Sequence, residues 1–207
     1  LLDAPHEPYS YPDEFVKFEP SVNEINYMSL DKHVDMQPFF NHYKNAVYFS
    51  DHVIGQFLQI IEKRDLFKNS IVIITSDHGA EFYEHGYWGH NSAFTKEQVM
   101  APFILYIPGE KPKKIESLTS HLDIAPTLLE LTGSSKNHKD HSFGVSLLSD
   151  LTNARNYVVS SGWGESAIIT DEATLVFSTE TYNFNTFEIR DKDYNLLMGD
   201  RYSEFFS

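Results

Sequence analysis

The chain has 207 residues, of which 41% are hydrophobic and 14% aromatic, enough for a domain with a buried core and far from the composition of a disordered segment. Thirty acidic residues against sixteen basic ones leave a net charge of -14, which excludes nucleic acid as a partner because a phosphate backbone needs a positive face. With no cysteine, disulfides, zinc thiolate sites and a cysteine nucleophile are excluded, while the compartment stays open.

The first residues, LLDAPHEPYS, contain no Met and no basic region, unlike a signal peptide or a natural start. They read as the end of a buried strand over residues 1–5, entering a Pro- and Tyr-rich loop, PHEPYSYP, that cannot be helical. The chain is therefore expected to be a piece of a longer protein. No run approaches the roughly eighteen apolar residues of a membrane-spanning helix.

From Pro38 to Arg64 apolar residues recur at helical spacing, among them Phe39, Tyr43, Ala46, Val47, Ile54, Phe57, Leu58 and Ile61. Pro38 suits a first helical turn. Residues 71–75, IVIIT, form an unbroken run rich in β-branched side chains, as expected of a parallel strand buried on both faces. That strand runs into Ser76-Asp77-His78-Gly79, where Gly79 would let the backbone turn tightly. A polar loop over 80–98 leads to a second strand, PFILYI at 102–107, closed by Pro108-Gly109. Ser120 then suits the N-cap of a helix, HLDIAPTLLELTG, with Gly133 as its stop. A polar connection over 134–150 precedes four short strand-like segments, YVVSS, SAIITD, ATLVFST and NFNTFEIRD. The fold class is α/β, a mostly parallel sheet flanked by helices with a C-terminal antiparallel meander. The organisation expected is a core over 1–150 and a β-rich subdomain over 151–207 packed on it.

Asp77 and His78 lie at the C-terminal end of a predicted strand, where open α/β sheets place their ligand sites. One hard oxygen and one imidazole suit zinc or manganese and, less well, magnesium. The alternative is a turn that merely caps the next segment. Twelve residues after His78, Trp88-Gly89-His90-Asn91-Ser92 brings a second histidine in a loop able to fold back over the strand end. His6 sits in a Pro-bounded loop directly after the first predicted strand. Histidines in such places bind metals or donate to phosphate and sulfate oxygens; the plainer alternative for His6 and His90 is an exposed surface loop.

Four ordered segments, TSDHG, the GH of WGH, APFILYIPG and SHLDIAPTLLELTG, together resemble the sulfatase-like branch of the alkaline phosphatase superfamily, from about Leu2 to Gly133. WGHNSAFTKEQVMAPFILYIPG resembles the YejM-type inner-membrane sulfatase-like proteins in particular; lipoteichoic-acid synthases and lipid A phosphoethanolamine transferases share the core pattern. The resemblance implies an alkaline-phosphatase-like fold whose N-terminal part lies outside this chain. It implies Asp77 and His78 as ligands of a divalent metal (zinc, manganese or magnesium, with calcium a further candidate) and His6 and His90 as substrate contacts. His121 and Asp123 match a motif read as fixing a helix start, and Glu84 and His85 are secondary candidates. His33, His42, His52, His138 and His141 have no motif context.

The family's nucleophile, a Ser, Thr or formylglycine, belongs to the absent N-terminal half, so no catalytic nucleophile is assigned here. The resemblance implies a hydrolase of phosphoric or sulfuric esters, or a phosphoethanolamine-type transferase. It would be the extracytoplasmic, periplasmic domain of a membrane-anchored protein, acting on an ester that can be lipid-linked. A non-catalytic regulatory domain binding envelope lipopolysaccharide or protein partners is the alternative. The isolated chain is expected to be inactive, to bind metal weakly, and to self-associate through an unpaired sheet edge.

Overall fold

The computed structural model describes residues 2–134, 142–151, 155–180 and 187–197. Backbone contacts divide the chain into two units that interleave in sequence: Leu1–His90 with Met100–Lys111, and Asn91–Val99 with Pro112–Ser207.

In the first unit the long helix α1 spans Gln37–Lys63. Asp35 Oδ1 accepts the Gln37 N–H at its start, and Pro38 occupies the first turn, where its missing donor costs nothing. The helix stops at Arg64, followed by Asp65 in the left-handed region with φ 55°, the conformation that commonly ends helices. One face of α1 supplies Ala46, which packs with Tyr9 and Phe82 in a cluster joined by Phe39, Tyr43 and Trp88. Tyr9 is 1% exposed, and its ring meets those of Tyr43 at 5.4 Å and Phe82 at 5.9 Å, distances typical of attractive aromatic pairs.

Strand β1 (Val72–Thr75) pairs with β4 (Phe103–Tyr106). The pairing is antiparallel, with Val72 opposite Tyr106 and Thr75 opposite Phe103, where the sequence pattern led us to expect a parallel strand. A short β-branched run specifies an extended, apolar segment but not the direction of its neighbour. The chain leaves the end of β1, turns back through a hairpin, and re-enters beside it from the same end. Nor is this pair buried on both faces: Ile104 is 59% exposed. Among the described residues every strand pair is antiparallel. The hairpin consists of β2 (Glu81–Phe82) and β3 (Trp88–Gly89). Of the strand expected at residues 1–5, the described residues 2–5 show none: residues 4–9 form turns closed by His6 N–H to Asp3 O and Tyr9 N–H to His6 O. Pro5 and Pro8 cannot donate to a ladder, which favours turns there.

In the second unit the short helix α2 covers Lys96–Val99. A 3-10 turn at His121–Asp123 runs into α3, Ile124–Leu131. Ser120 caps it as expected: its hydroxyl accepts the Leu122 N–H while the Asp123 carboxylate accepts the Ser120 N–H. Gly133, with φ 73°, ends it. Asp123 is 1% exposed; it also accepts the Val145 N–H at 2.8 Å and pairs with Arg155. One buried carboxylate thus ties the helix start, the 142–147 segment and the entry to the sheet. Gly144 lies so close to Leu122 that a Cβ would fall 2.0 Å from its carbonyl oxygen.

Four strands, β5 (Val158–Ser161), β6 (Glu165–Ile169), β7 (Ala173–Ser178) and β8 (Phe187–Asp191), form the antiparallel meander β5-β6-β7-β8 expected from the sequence. Ala173, Ile189 and Leu197 form its buried cluster, and the Phe94 N–H donates to the Tyr194 hydroxyl at 2.9 Å. His138 and His141 lie outside the described residues.

Candidate metal centre

Asp77 and His78 follow β1 directly, and their side chains converge: His78 Nε2 lies 3.8 Å from Asp77 Oδ1. His78 Nδ1 is 2.8 Å from the Gly79 carbonyl. A carbonyl only accepts, so Nδ1 carries a proton, and Nε2, on the Asp77 side, is the nitrogen left to face a ligand. A backbone carbonyl holding the far nitrogen is the arrangement that orients metal-binding imidazoles. The Asp77 side chain is 88% exposed and open to a ligand.

His90 reaches this point through the hairpin. Glu81 is fully buried, and its Oε1 accepts the His85 N–H at 2.8 Å and the Tyr87 N–H at 3.1 Å. It thereby closes the 83–87 turn, in which Tyr83 and Gly86 take positive φ. The pairing of Glu81 with Gly89 then returns the chain so that the His90 ring stacks on His78, centroids 4.1 Å apart and planes 19° apart. His6 meets His90 edge-on at 5.5 Å. The structure therefore brings His6, His78 and His90 together beside Asp77. His121 is exposed in the other unit, Glu84 is exposed and His85 half-buried. Gly79 does not take the left-handed conformation; Gly86 and Gly89 do, at φ 92° and 71°. The reversal lies in the hairpin rather than at the DHG turn.

Glu7, which the sequence reading passed over, lies against this cluster. Its Oε1 accepts the Tyr9 hydroxyl and stands 3.0 Å from where a Cβ on Gly89 would be. Its only sequence signal is a carboxylate between His6 and Pro8. Burial pushes the His90 ring below the ordinary histidine value, helped by His78 and His6 and opposed by Glu7 and Asp77. A neutral ring at neutral pH has a lone pair to offer.

The donor set fits a divalent cation. A carboxylate oxygen and an imidazole nitrogen 3.8 Å apart can share one ion with bonds of about 2.0–2.4 Å. Among the described residues no three His, Asp or Glu side chains converge to hold an ion alone, and two donors do not close a tetrahedral or octahedral shell.

The chain matches the Sulfatase family model over residues 1–134 and belongs to that family. It is 34% identical to arylsulfatase K of Mus musculus over 106 residues, a match covering 51% of this chain and 19% of that protein. It is 31% identical to the phosphatidylethanolamine transferase Mcr-1 of Escherichia coli over 127 residues, covering 58% and 21%. A solved protein of the alkaline phosphatase superfamily from Vibrio parahaemolyticus superposes with a TM-score of 0.66 at 19% identity, covering 97% of this chain and 43% of that one. The chain thus has the alkaline-phosphatase-like fold of the sulfatase branch and spans well under two thirds of the length of the relatives it matches. Among the described residues no helix is long and apolar enough to cross a membrane.

Proposed function

We propose that this chain is the metal-holding and substrate-contacting part of an enzyme that hydrolyses or transfers a phosphoric or sulfuric ester. Asp77 and His78 hold a divalent cation, zinc, manganese or magnesium. A cation there would stabilise charge developing on the ester oxygens and activate a hydroxyl nucleophile. His6 and His90 lie beside that pair with ring nitrogens suited to donate to the same oxygens. The nucleophile, a Ser- or Thr-type hydroxyl, comes from a segment outside these residues. The ester is one whose alcohol can be a sugar or a lipid-linked headgroup, and the domain works outside the cytoplasm, attached to a membrane.

The observation that carries this reading is the stacking of His90 on His78 beside the Asp77 carboxylate, since a purely structural turn gives no reason to gather imidazoles from three separate segments. The test is metal-dependent cleavage of aryl sulfate and aryl phosphate esters by the intact protein. Turnover should require added zinc, manganese or magnesium and vanish in Asp77→Ala and His78→Ala. A folded protein that binds no divalent cation, or whose turnover survives both substitutions, contradicts it. Metal binding without turnover on any ester would instead favour a regulatory domain that recognises envelope lipid or protein partners.

A further inference from the structure

His6 is exposed and sits in a turn between two prolines, so something outside the turn must hold it in place. The holding groups lie on one face of α1. His42 is 8% exposed and Asn45 is fully buried; Asn45 lies three residues from His42 and four from Asn41, spacings that share a helix face. His42 Nε2 is 3.1 Å from the Pro8 carbonyl, which can only accept, so Nε2 carries the proton. His42 Nδ1 then accepts from the Tyr11 hydroxyl at 2.8 Å. Asn45 Oδ1 accepts the N–H groups of Lys17 and Phe18 at 2.9 and 2.8 Å. Its amide donates to the Tyr11 hydroxyl and the Phe18 carbonyl, both at 3.1 Å. Asn41 Nδ2 donates to the Pro20 carbonyl at 2.8 Å. These bonds fall on the segment from Pro8 to Pro20, while Tyr9 anchors its start in the apolar cluster.

Side-chain amides and an imidazole are an unusual choice for the buried face of a helix, because each must find every partner or cost stability. Here the side chains supply what a loop without strand neighbours lacks: partners for its own backbone groups. We infer that His42 and Asn45 are positioning residues, a polar latch on α1 that sets the loop carrying His6 and Glu7 and thereby places His6 against His90. The inference rests on the reading of His6 as an oxyanion contact only for its effect on binding. The latch itself stands on the hydrogen bonds.

The experiment combines amide hydrogen exchange with anion binding on the intact protein, using inorganic sulfate and inorganic phosphate as probes. In Asn45→Ala and His42→Leu, exchange of amides in residues 6–18 should rise about tenfold or more, the consequence of losing a buried hydrogen-bond partner. Exchange along residues 47–61 of α1 and in the β2–β3 hairpin should stay within about twofold of the parent, and affinity for the probes should fall about tenfold. His42→Gln, which keeps a donor for the Pro8 carbonyl, should restore most of the protection lost in His42→Leu. Unchanged exchange in residues 6–18 overturns the latch, as does a rise spread evenly over α1 and the hairpin, which would mark an ordinary core role. If the parent binds neither probe, the oxyanion role of His6 fails, and the exchange pattern alone still upholds or overturns the latch.

Discussion

The His90 imidazole lies stacked on that of His78, their centroids 4.1 Å apart, although twelve residues separate them in the chain. The stack exists because Glu81, buried in the hairpin, closes the intervening turn. Glu81→Gln weakens both of these acceptor contacts by removing charge. It should raise amide exchange at His85 and Tyr87 and loosen His90, seen as a shift of its side-chain NMR signals. Unchanged exchange at both amides would show that the carboxylate does not hold the turn.

Gly89 combines a left-handed backbone, φ 71°, with a close approach of Glu7 Oε1 at 3.0 Å to the position of a Cβ. Gly89→Ala meets both obstacles, and strain of this kind costs about 1–3 kcal/mol. The expected outcome is a destabilised first unit together with a displaced Glu7, measured by denaturant unfolding and by loss of metal-dependent turnover. A Gly89→Ala protein as stable and as active as the parent would rule out the close approach.

Asp123 binds the Arg155 guanidinium and accepts two backbone N–H groups while 1% exposed. Asp123→Ala leaves a largely buried cation and two amides without partners, a loss of about 3–5 kcal/mol. Gly144→Ala drives a methyl group into the Leu122 carbonyl, an overpacking cost of about 3 kcal/mol. Both should lower the unfolding midpoint of the second unit. They should leave divalent-metal affinity at Asp77 and His78 unchanged, which calorimetric titration on the folded proteins checks.

Burial pushes His42 below the ordinary histidine value, with the hydrogen bond to the Pro8 carbonyl acting in the opposite direction. In the unfolded chain its value returns to about 6.5. Between the folded and unfolded values the unfolded chain binds more protons, so stability falls as the pH drops through that window and is fully present above it. Denaturant midpoints taken from neutral pH downward should decline below about pH 6.5, and His42→Gln should flatten that decline. An identical slope in the variant would assign the pH dependence to other groups.

The long amphipathic helix, the Ser120 N-cap with its Gly133 stop and the four-strand meander were legible because each is written in local pattern: periodicity, a cap and a stop, short segments between turns. Pairing direction was not. Nothing within IVIIT says whether its neighbour runs with it or against it, since that depends on the path of the chain over residues 76–102. At the site, Asp77, His78, His90 and His6 stood out because their residue types advertise chemistry. His42 and Asn45 went unread because they act on backbone groups some thirty residues away, and Glu7 and Glu81 because a loop or hairpin carboxylate bonded to Tyr9 or to nearby turn amides carries no motif. Gly79 shows the opposite error: a glycine beside a chemical motif was credited with a reversal that Gly86 and Gly89 perform.

The most direct measurement is the position of a bound ion, by anomalous scattering from crystals of the intact protein soaked in zinc or manganese. The account predicts a peak within bonding distance of both Asp77 Oδ1 and His78 Nε2, lost in Asp77→Ala. An ion bound tightly elsewhere, with those two side chains turned apart, would contradict it.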